Sequence, residues 1–312
     1  MELRPLGFGE IFDRAVTLYV RNFVPFAAIV GVLILPTVIL QYFNDVNSLP
    51  QFDAAIRILT HRQAPTPGSI PPAFGSPSAV AALLGLLLLA YAAWPFVLNA
   101  IAVGVALAYR NVPVGFRACF EPVLRRWSQI VGLLFIDLLV FFGCYVTFMV
   151  IAVVVGIIIV LFSSFAPAVG AFLGVLFIVA GIVAFLGIVA LLWLALSFAM
   201  YATVIEELPP IESLVLGFHR VFNHQEFWRA LLFSVAAAAI VVAGSAMFSF
   251  VSLAAAFAHL PLVAAIAESL SRAIVAPFWA VLLAIYYFDV RIRHEGFDLE
   301  TSLERLTAPQ PA

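Results

Sequence analysis

Six apolar runs dominate this chain: Phe23–Tyr42, Ala79–Tyr109, Ile130–Phe162, Phe165–Ile205, Ala230–Ala258 and a last one ending at Phe288. Several far exceed the ~18 residues that mark a transmembrane helix. Only the first is close to the ~20 residues that cross a ~30 Å hydrocarbon core. Ala79–Tyr109, with 31 residues, would be about 46 Å long as a helix, so the long runs must tilt, kink or project beyond the core. Pro95 is the expected kink in that run. The chain is 65% hydrophobic and only 10% charged, against about 45–50% and about 25% in a soluble domain. The expectation is an all-α, polytopic membrane helix bundle with six transmembrane helices.

Arginine placement fixes the count and the orientation, because cytoplasmic loops collect basic residues near span ends. All 15 basic residues are Arg. With six spans and the N-terminus inside, twelve arginines fall on the inner side, among them Arg14, Arg117, Arg126, Arg220 and Arg291. At most three, Arg57, Arg62 and Arg272, fall outside. Seven spans would divide them evenly. Six spans with both termini cytoplasmic are therefore expected, with a break between spans 3 and 4 at Ser163–Pro167. The longest outer loop is Phe43–Ser78. It holds a Pro/Gly/Ser-rich connector, Ala64–Ser78, preceded by a short interfacial helix at Phe52–Leu59. Glu2, Glu10 and Asp13 precede the first run without a cleavage pattern, so span 1 is expected to serve as its own insertion signal.

The residues point away from several chemistries. Two cysteines, Cys119 and Cys144, cannot form a disulfide framework. The five histidines are scattered without zinc-ligand spacing. No Gly-rich phosphate loop and no nucleophile elbow is present. No catalytic residue, metal or cofactor is implied, and the near-zero net charge gives no attraction to nucleic acid.

Gly7–Phe23 is amphipathic. Glu10, Asp13, Arg14, Thr17 and Arg21 fall within about 100° of helical arc, opposite Phe8, Phe12, Ala15, Tyr19 and Phe23. This reads as an interfacial helix before span 1. Gly115–Ile130 and Ile211–Arg229 stand in the same place before spans 3 and 5. The six-span domain, residues 1–290, is thus expected to hold three units starting near 7, 115 and 211, each an interfacial helix and a hairpin. Residues 291–312 form a short cytoplasmic tail.

Ionisable groups inside a membrane are default functional candidates. Asp137 lies eight residues past Gln129, a third to a half of the way across. It reads either as a proton- or cation-linked site or as a neutral, hydrogen-bonded carboxyl. Asn99 in span 2 is expected to donate between helices. Glu268 and Arg272, at (i, i+4), are expected at the outer interface if Ala273–Phe288 is span 6, and facing a cavity if residues 259–272 also enter. Gly170 and Gly174 form a Gly-x-x-x-Gly that permits close packing.

The segment YYFDVRIRHEGFDLE, Tyr286–Glu300, is the densest polar signal. Tyr286 and Tyr287 suit an aromatic belt. Asp289–Arg293 and Arg291–Glu295 are (i, i+4) pairs that extend the helix about two turns, and Gly296 suits its C-cap. Thr301 and Glu304 suit a capping box. Arg291, Arg293, Glu295, Gly296, Phe297 and Asp298 form a candidate cytoplasmic contact, with Phe297 and its flanking acids docking on Gly7–Phe23 or Gly115–Ile130.

LGFGEIFDRAVTLYVRNF at the start and YYFDVRIRHEGFDLE at the end together resemble a bacterial family of integral membrane proteins named for the membrane domain of glycerophosphoryl diester phosphodiesterase. IESLVLGFHRVFNHQEFWR is similar to a third family landmark, with His219, Asn223 and His224 where basic residues are expected. The resemblance implies a bacterial cytoplasmic membrane. In fused members hydrolysis belongs to a separate barrel, which needs ~250 residues. Only 24 residues, Asp289–Ala312, follow the last span here, so no phosphodiesterase activity is expected.

The first expectation for function is a non-catalytic membrane module that contacts the bilayer and positions a protein partner at the inner face. The alternative is a transporter or lipid-handling protein using Asp137. An intramembrane enzyme comes last.

Overall fold

The computed structural model describes residues 5–61 and 77–295. Among them there are helices and no strand. In chain order these are α1 (Phe8–Arg21), α2 (Phe23–His61), α3 (Pro77–Leu88), a π-helical turn (Leu89–Ala93), α4 (Trp94–Tyr109), α5 (Phe116–Arg125), α6 (Trp127–Phe165), α7 (Pro167–Ile205), α8 (Pro210–Phe222), α9 (Phe227–Phe257) and α10 (Pro261–Glu295). Six stretches are long and apolar enough to cross a membrane: Phe23–Ile58, Pro77–Tyr109, Trp127–Leu161, Ala168–Ile205, Phe227–Phe257 and Pro261–His294. Helices suit that environment because each satisfies its backbone hydrogen bonds internally, where no water can. The chain is an all-α, multi-pass membrane protein.

Local chemistry explains the element boundaries. The break between the third and fourth spans falls at Ala166, which leaves helical geometry at φ −145°, ψ 85°. Pro167 then opens α7, in the first turn, where its missing N–H costs nothing. Pro95 does not simply kink its run. The five residues before Trp94 widen into a π-helical turn, which contains Tyr91, the carbonyl that a proline at 95 can neither bond nor approach.

Two segments differ from expectation. The outer loop expected from Phe43 is helical as far as His61, so Phe52–Leu59 is part of α2 and not a separate helix. Pro50 is tolerated inside it. The Asn47 amide donates to Phe43 O at 2.6 Å and the Ser48 hydroxyl to Asp45 O at 3.0 Å, supplying side-chain donors to the preceding turn. The Phe52 ring packs edge-on against Phe257 at 5.0 Å, which holds the extension. Residues 64–76 of the expected connector lie outside the described residues, and its last two open α3. At the other end, α10 begins at Pro261, so residues 261–272 are continuous with the last span.

The chain divides into two compact units, Met1–Arg125 with Ala237–Ala312, and Arg126–Ala236. In the first, α10 is buried on every side from Ala280 to Val290. A helix that is apolar all round demands such a site. Helices α1, α2 and α4 pack against it. Tyr286 and Tyr287 are therefore core residues, not members of a membrane-facing aromatic belt. Gly104 marks a tight point of this unit. A Cβ there would meet the Phe26 ring at 2.8 Å and Cys119 Sγ at 3.2 Å, so α4 depends on glycine to approach α2 and α5.

In the second unit, α6 and α7 form a hairpin of 39-residue helices, each about 58 Å long. Gly170 and Gly174 face Ser163 and Ile159 of α6, so the Gly-x-x-x-Gly is used within the hairpin. Gly217 brings α8 onto α7, where a Cβ would meet the Ala199 nitrogen at 2.8 Å. Phe142, Ile151, Val160, Phe172, Ile178 and Val183 are exposed along the hairpin. Such a density of exposed apolar side chains is stable only against lipid.

Candidate functional site

The first unit builds a polar clasp where α1 begins and α10 ends. Leu6 precedes the helix, and its N–H donates to Asp289 Oδ1 at 2.6 Å. Arg293 Nε donates to Asp289 Oδ2 at 3.1 Å, one turn along α10. The same guanidinium donates through Nη2 to Leu6 O. One carboxylate and one guanidinium thus satisfy both backbone groups of a residue 283 positions away from the aspartate. The Asp289 side chain is fully buried, and charged groups there are tolerable because they are paired and hydrogen-bonded. The carboxylate also lies at the N-terminal end of α1, where the helix dipole favours negative charge. Gly7 N–H donates to Glu10 Oε2 at 2.7 Å, completing the start of α1.

Further contacts run along α1. The Arg14 guanidinium lies 5.4 Å from the centre of the Tyr109 ring, and that ring packs edge-on against Phe288 at 5.4 Å. The Tyr19 hydroxyl donates to Ile274 O at 2.8 Å, and its ring meets Phe278 at 5.8 Å. Burial pushes the Tyr19 phenol up from its ordinary value. Leu6 and Tyr19 thus meet α10 at positions fifteen residues apart, about 22 Å along the axis. Helix α1 lies lengthwise on α10.

The face that α1 buries differs from the aromatic stripe expected for it. Ile11, Ala15 and Leu18 are in the core. Phe8, Val16 and Val20 are exposed on one flank, and Asp13, Thr17 and Arg21 on the other. The aliphatic stripe fits the close approach to the bundle, whereas the aromatic rings occupy its edge. Helix α5 repeats the arrangement. Cys119 and Val123 are buried, Phe116 and Leu124 exposed, and Arg117, Glu121 and Arg125 exposed beyond them. Burial raises the Cys119 thiol to about 11.

A shared signal underlies this likeness. Gly7-Phe8 with Phe12, Gly115-Phe116 with Phe120, and Gly217-Phe218 with Phe222 follow one spacing. The ring pairs lie 5.4, 4.7 and 5.6 Å apart. The residue before the second ring, Ile11, Cys119 or Val221, is buried in all three.

The other sequence candidates are dispersed. Asn99 is buried on α4, and its amide donates to Pro95 O of its own helix at 2.9 Å. Asp137 is 5% exposed, and its Oδ1 has no hydrogen-bond partner among the described residues. Glu268 and Arg272 pair at 3.9 Å, but each also reaches another helix. Ser252 of α9 donates to Glu268 at 3.0 Å, and Arg272 donates to Gln41 of α2 at 3.5 Å. Glu268 lines a cleft together with residues of α2 and α9. Arg291 is half-buried, and α10 ends at Glu295. Gly296, Phe297, Asp298, Thr301 and Glu304 lie outside the described residues. In the second unit Arg220 and Glu206 form a buried bidentate pair at 2.7 and 3.2 Å, which sequence reading passed over. Among the described residues no group of three or more His, Cys, Asp or Glu is placed to hold a metal ion.

The clasp predicts a cost for Asp289→Asn. An amide cannot accept from Leu6 and Arg293 as a carboxylate does, and the loss should be about 1–3 kcal/mol. Thermal unfolding of the detergent-solubilised chain should shift down, and limited proteolysis within residues 1–22 should accelerate. Unchanged cleavage there would show that Asp289 does not hold α1.

No protein-family model, curated protein or solved structure matches this chain.

Proposed function

We propose that the chain is a non-catalytic integral membrane module that holds a protein partner with an acidic face at the inner side of a bacterial cytoplasmic membrane. The observation that carries this reading is the covered end of the first unit. Bare spans need only lipid around them, yet here α10 is enclosed by protein over Ala280–Val290. Helix α1 contributes to that cover and shows Asp13, Thr17 and Arg21 outward. Arg110, just past α4, and Arg117 and Arg125 of α5 are also exposed, with Glu121 between the last two. Arg125 and Glu121 pair at 3.2 Å while remaining exposed, a surface contact worth little to the fold. The exposed arginines therefore serve association better than stability, since surface charge steers and selects a partner. On the same proposal, the exposed apolar flanks of α1 and α5, with Phe8 and Phe116, sit in the membrane interface. The resemblance of the chain ends to the membrane domain named for glycerophosphoryl diester phosphodiesterase agrees with a module that serves a catalytic partner.

A photo-crosslinking amino acid distinguishes the two flanks in native membranes. Placed at Asp13 or Arg117, it should give protein adducts. Placed at Phe8 or Phe116, it should give lipid adducts. Lipid adducts at all four positions would remove the partner from the account.

Asp137 supports a second reading, transport or lipid handling. Trp127 opens α6 ten residues before it, about 15 Å along the helix and near mid-membrane depth. A buried carboxyl oxygen without a partner is the feature expected of an ion or proton site. Asp137→Asn should abolish flux of a proton-coupled solute in reconstituted liposomes. Equal flux with and without the carboxylate would end this reading.

A further inference from the structure

At the end of the first unit opposite the clasp, α2, α9 and α10 leave a cleft of about 300 Å³. Asp45 and Ser48 line it from α2, Ser249 and Ser252 from α9, and Glu268 from α10, with the Phe52 ring among the apolar walls. Its carboxylates are held in place. Gln41 is buried and donates through Nε2 to Asp45 Oδ1 at 2.9 Å. Arg272 donates to Gln41 and pairs with Glu268, and Ser252 donates to Glu268. This chain of contacts orients both carboxylates and leaves one oxygen over. Asp45 Oδ2 is shielded from solvent, and although the Asn44 amide lies close to the carboxylate, no donor among the described residues meets this oxygen with hydrogen-bond geometry. Two carboxylates face one guanidinium, so the cleft carries net negative charge.

The position of the cleft narrows the choice of ligand. Twenty residues of α10 separate Glu268 from Phe288, a rise of about 30 Å, the thickness of the hydrocarbon core. Among the described side chains of α2 the last large apolar residue exposed is Val46, and exposed Ser48 follows two positions on. Phe250 and Leu262 are exposed beside the cleft. On the α2 side the opening thus lies where exposed apolar residues give way to polar ones, while apolar residues flank it on α9 and α10.

We infer that this cleft binds a primary ammonium group, with Asp45 and Glu268 as its anionic acceptors, the hydroxyls of Ser48 and Ser249 at its mouth and Phe52 against its face. An ammonium supplies the N–H donor that Asp45 Oδ2 needs, and an aromatic face adds cation–π attraction. The same chemistry is offered by a soluble amine and by an ethanolamine lipid headgroup at that depth. The site is independent of the partner surface proposed above.

The test uses the full chain in phosphatidylcholine nanodiscs, titrated calorimetrically with phenethylamine. Asp45→Asn and Glu268→Gln should each weaken binding about tenfold or more, as expected for loss of a charged hydrogen bond. The trimethylammonium analogue, which has no N–H, should bind at least as much more weakly. Ser249→Tyr, at an exposed position, should fill the cleft and abolish binding even if the carboxylate variants fail to fold. Added phosphatidylethanolamine separates the sources. If it competes, the ammonium is a headgroup; if binding persists undiminished, it is a free amine. Equal affinity of the wild type, Asp45→Asn and Ser249→Tyr, or equal affinity for the trimethylammonium analogue, would overturn the inference.

Discussion

The buried Asp289 carboxylate is the interaction on which the first unit depends. It accepts from the Leu6 N–H and from Arg293, while Arg293 donates back to Leu6 O. The Asp289 charge would not be stable alone in that position, because an unpaired buried ion costs several kcal/mol. Together they tie the start of α1 to the end of α10, and α1 is laid along α10. Once α1 is fixed there, Tyr286, Tyr287 and Phe288 become interior residues. The end of α10 is then a protein core and not a bare membrane exit.

Elsewhere the bilayer does what a core would do. The hairpin of α6 and α7 exposes large apolar side chains along its length, and only lipid can cover so many. Cohesion between its helices rests instead on small residues. Gly170 meets Ser163, and Gly217 lets α8 reach the α7 backbone. This follows from the absence of a hydrophobic driving force between helices in lipid, which leaves close packing and polar contacts as the glue. The Arg220–Glu206 pair is one such contact.

Hydropathy made the spans legible, since a run such as Ala230–Ala258 has no stable alternative outside lipid. The break at Ala166 was readable because Ser-Ser before it and Pro after it are local signals. What failed was non-local. Polar residues around Asn44–Pro50 look like a loop, yet side-chain donors and the Phe52–Phe257 contact keep them helical. Tyr286 and Tyr287 look like a belt because sequence does not reveal that α1 and α4 cover them. Asp289 read as half of an (i, i+4) pair, and nothing local announced Leu6 as its second partner. Asp45 and Glu268 are more than 200 residues apart, so their shared cleft could not be seen in the chain. The Gly-Phe spacing repeated at Gly7, Gly115 and Gly217 was present in the sequence, and it marks the buried residue of each short helix.

The central claim is that the clasp and the ammonium cleft occupy opposite faces of one membrane, joined by the length of α10. Cysteine accessibility tests it most directly. In a chain carrying Cys119→Ser and Cys144→Ser, single cysteines are placed at Asp13, beside the clasp, and at Ser48, at the mouth of the cleft. A membrane-impermeant maleimide should label Ser48→Cys in intact cells and Asp13→Cys only in inverted vesicles. Labelling of both positions from the same side would contradict the account.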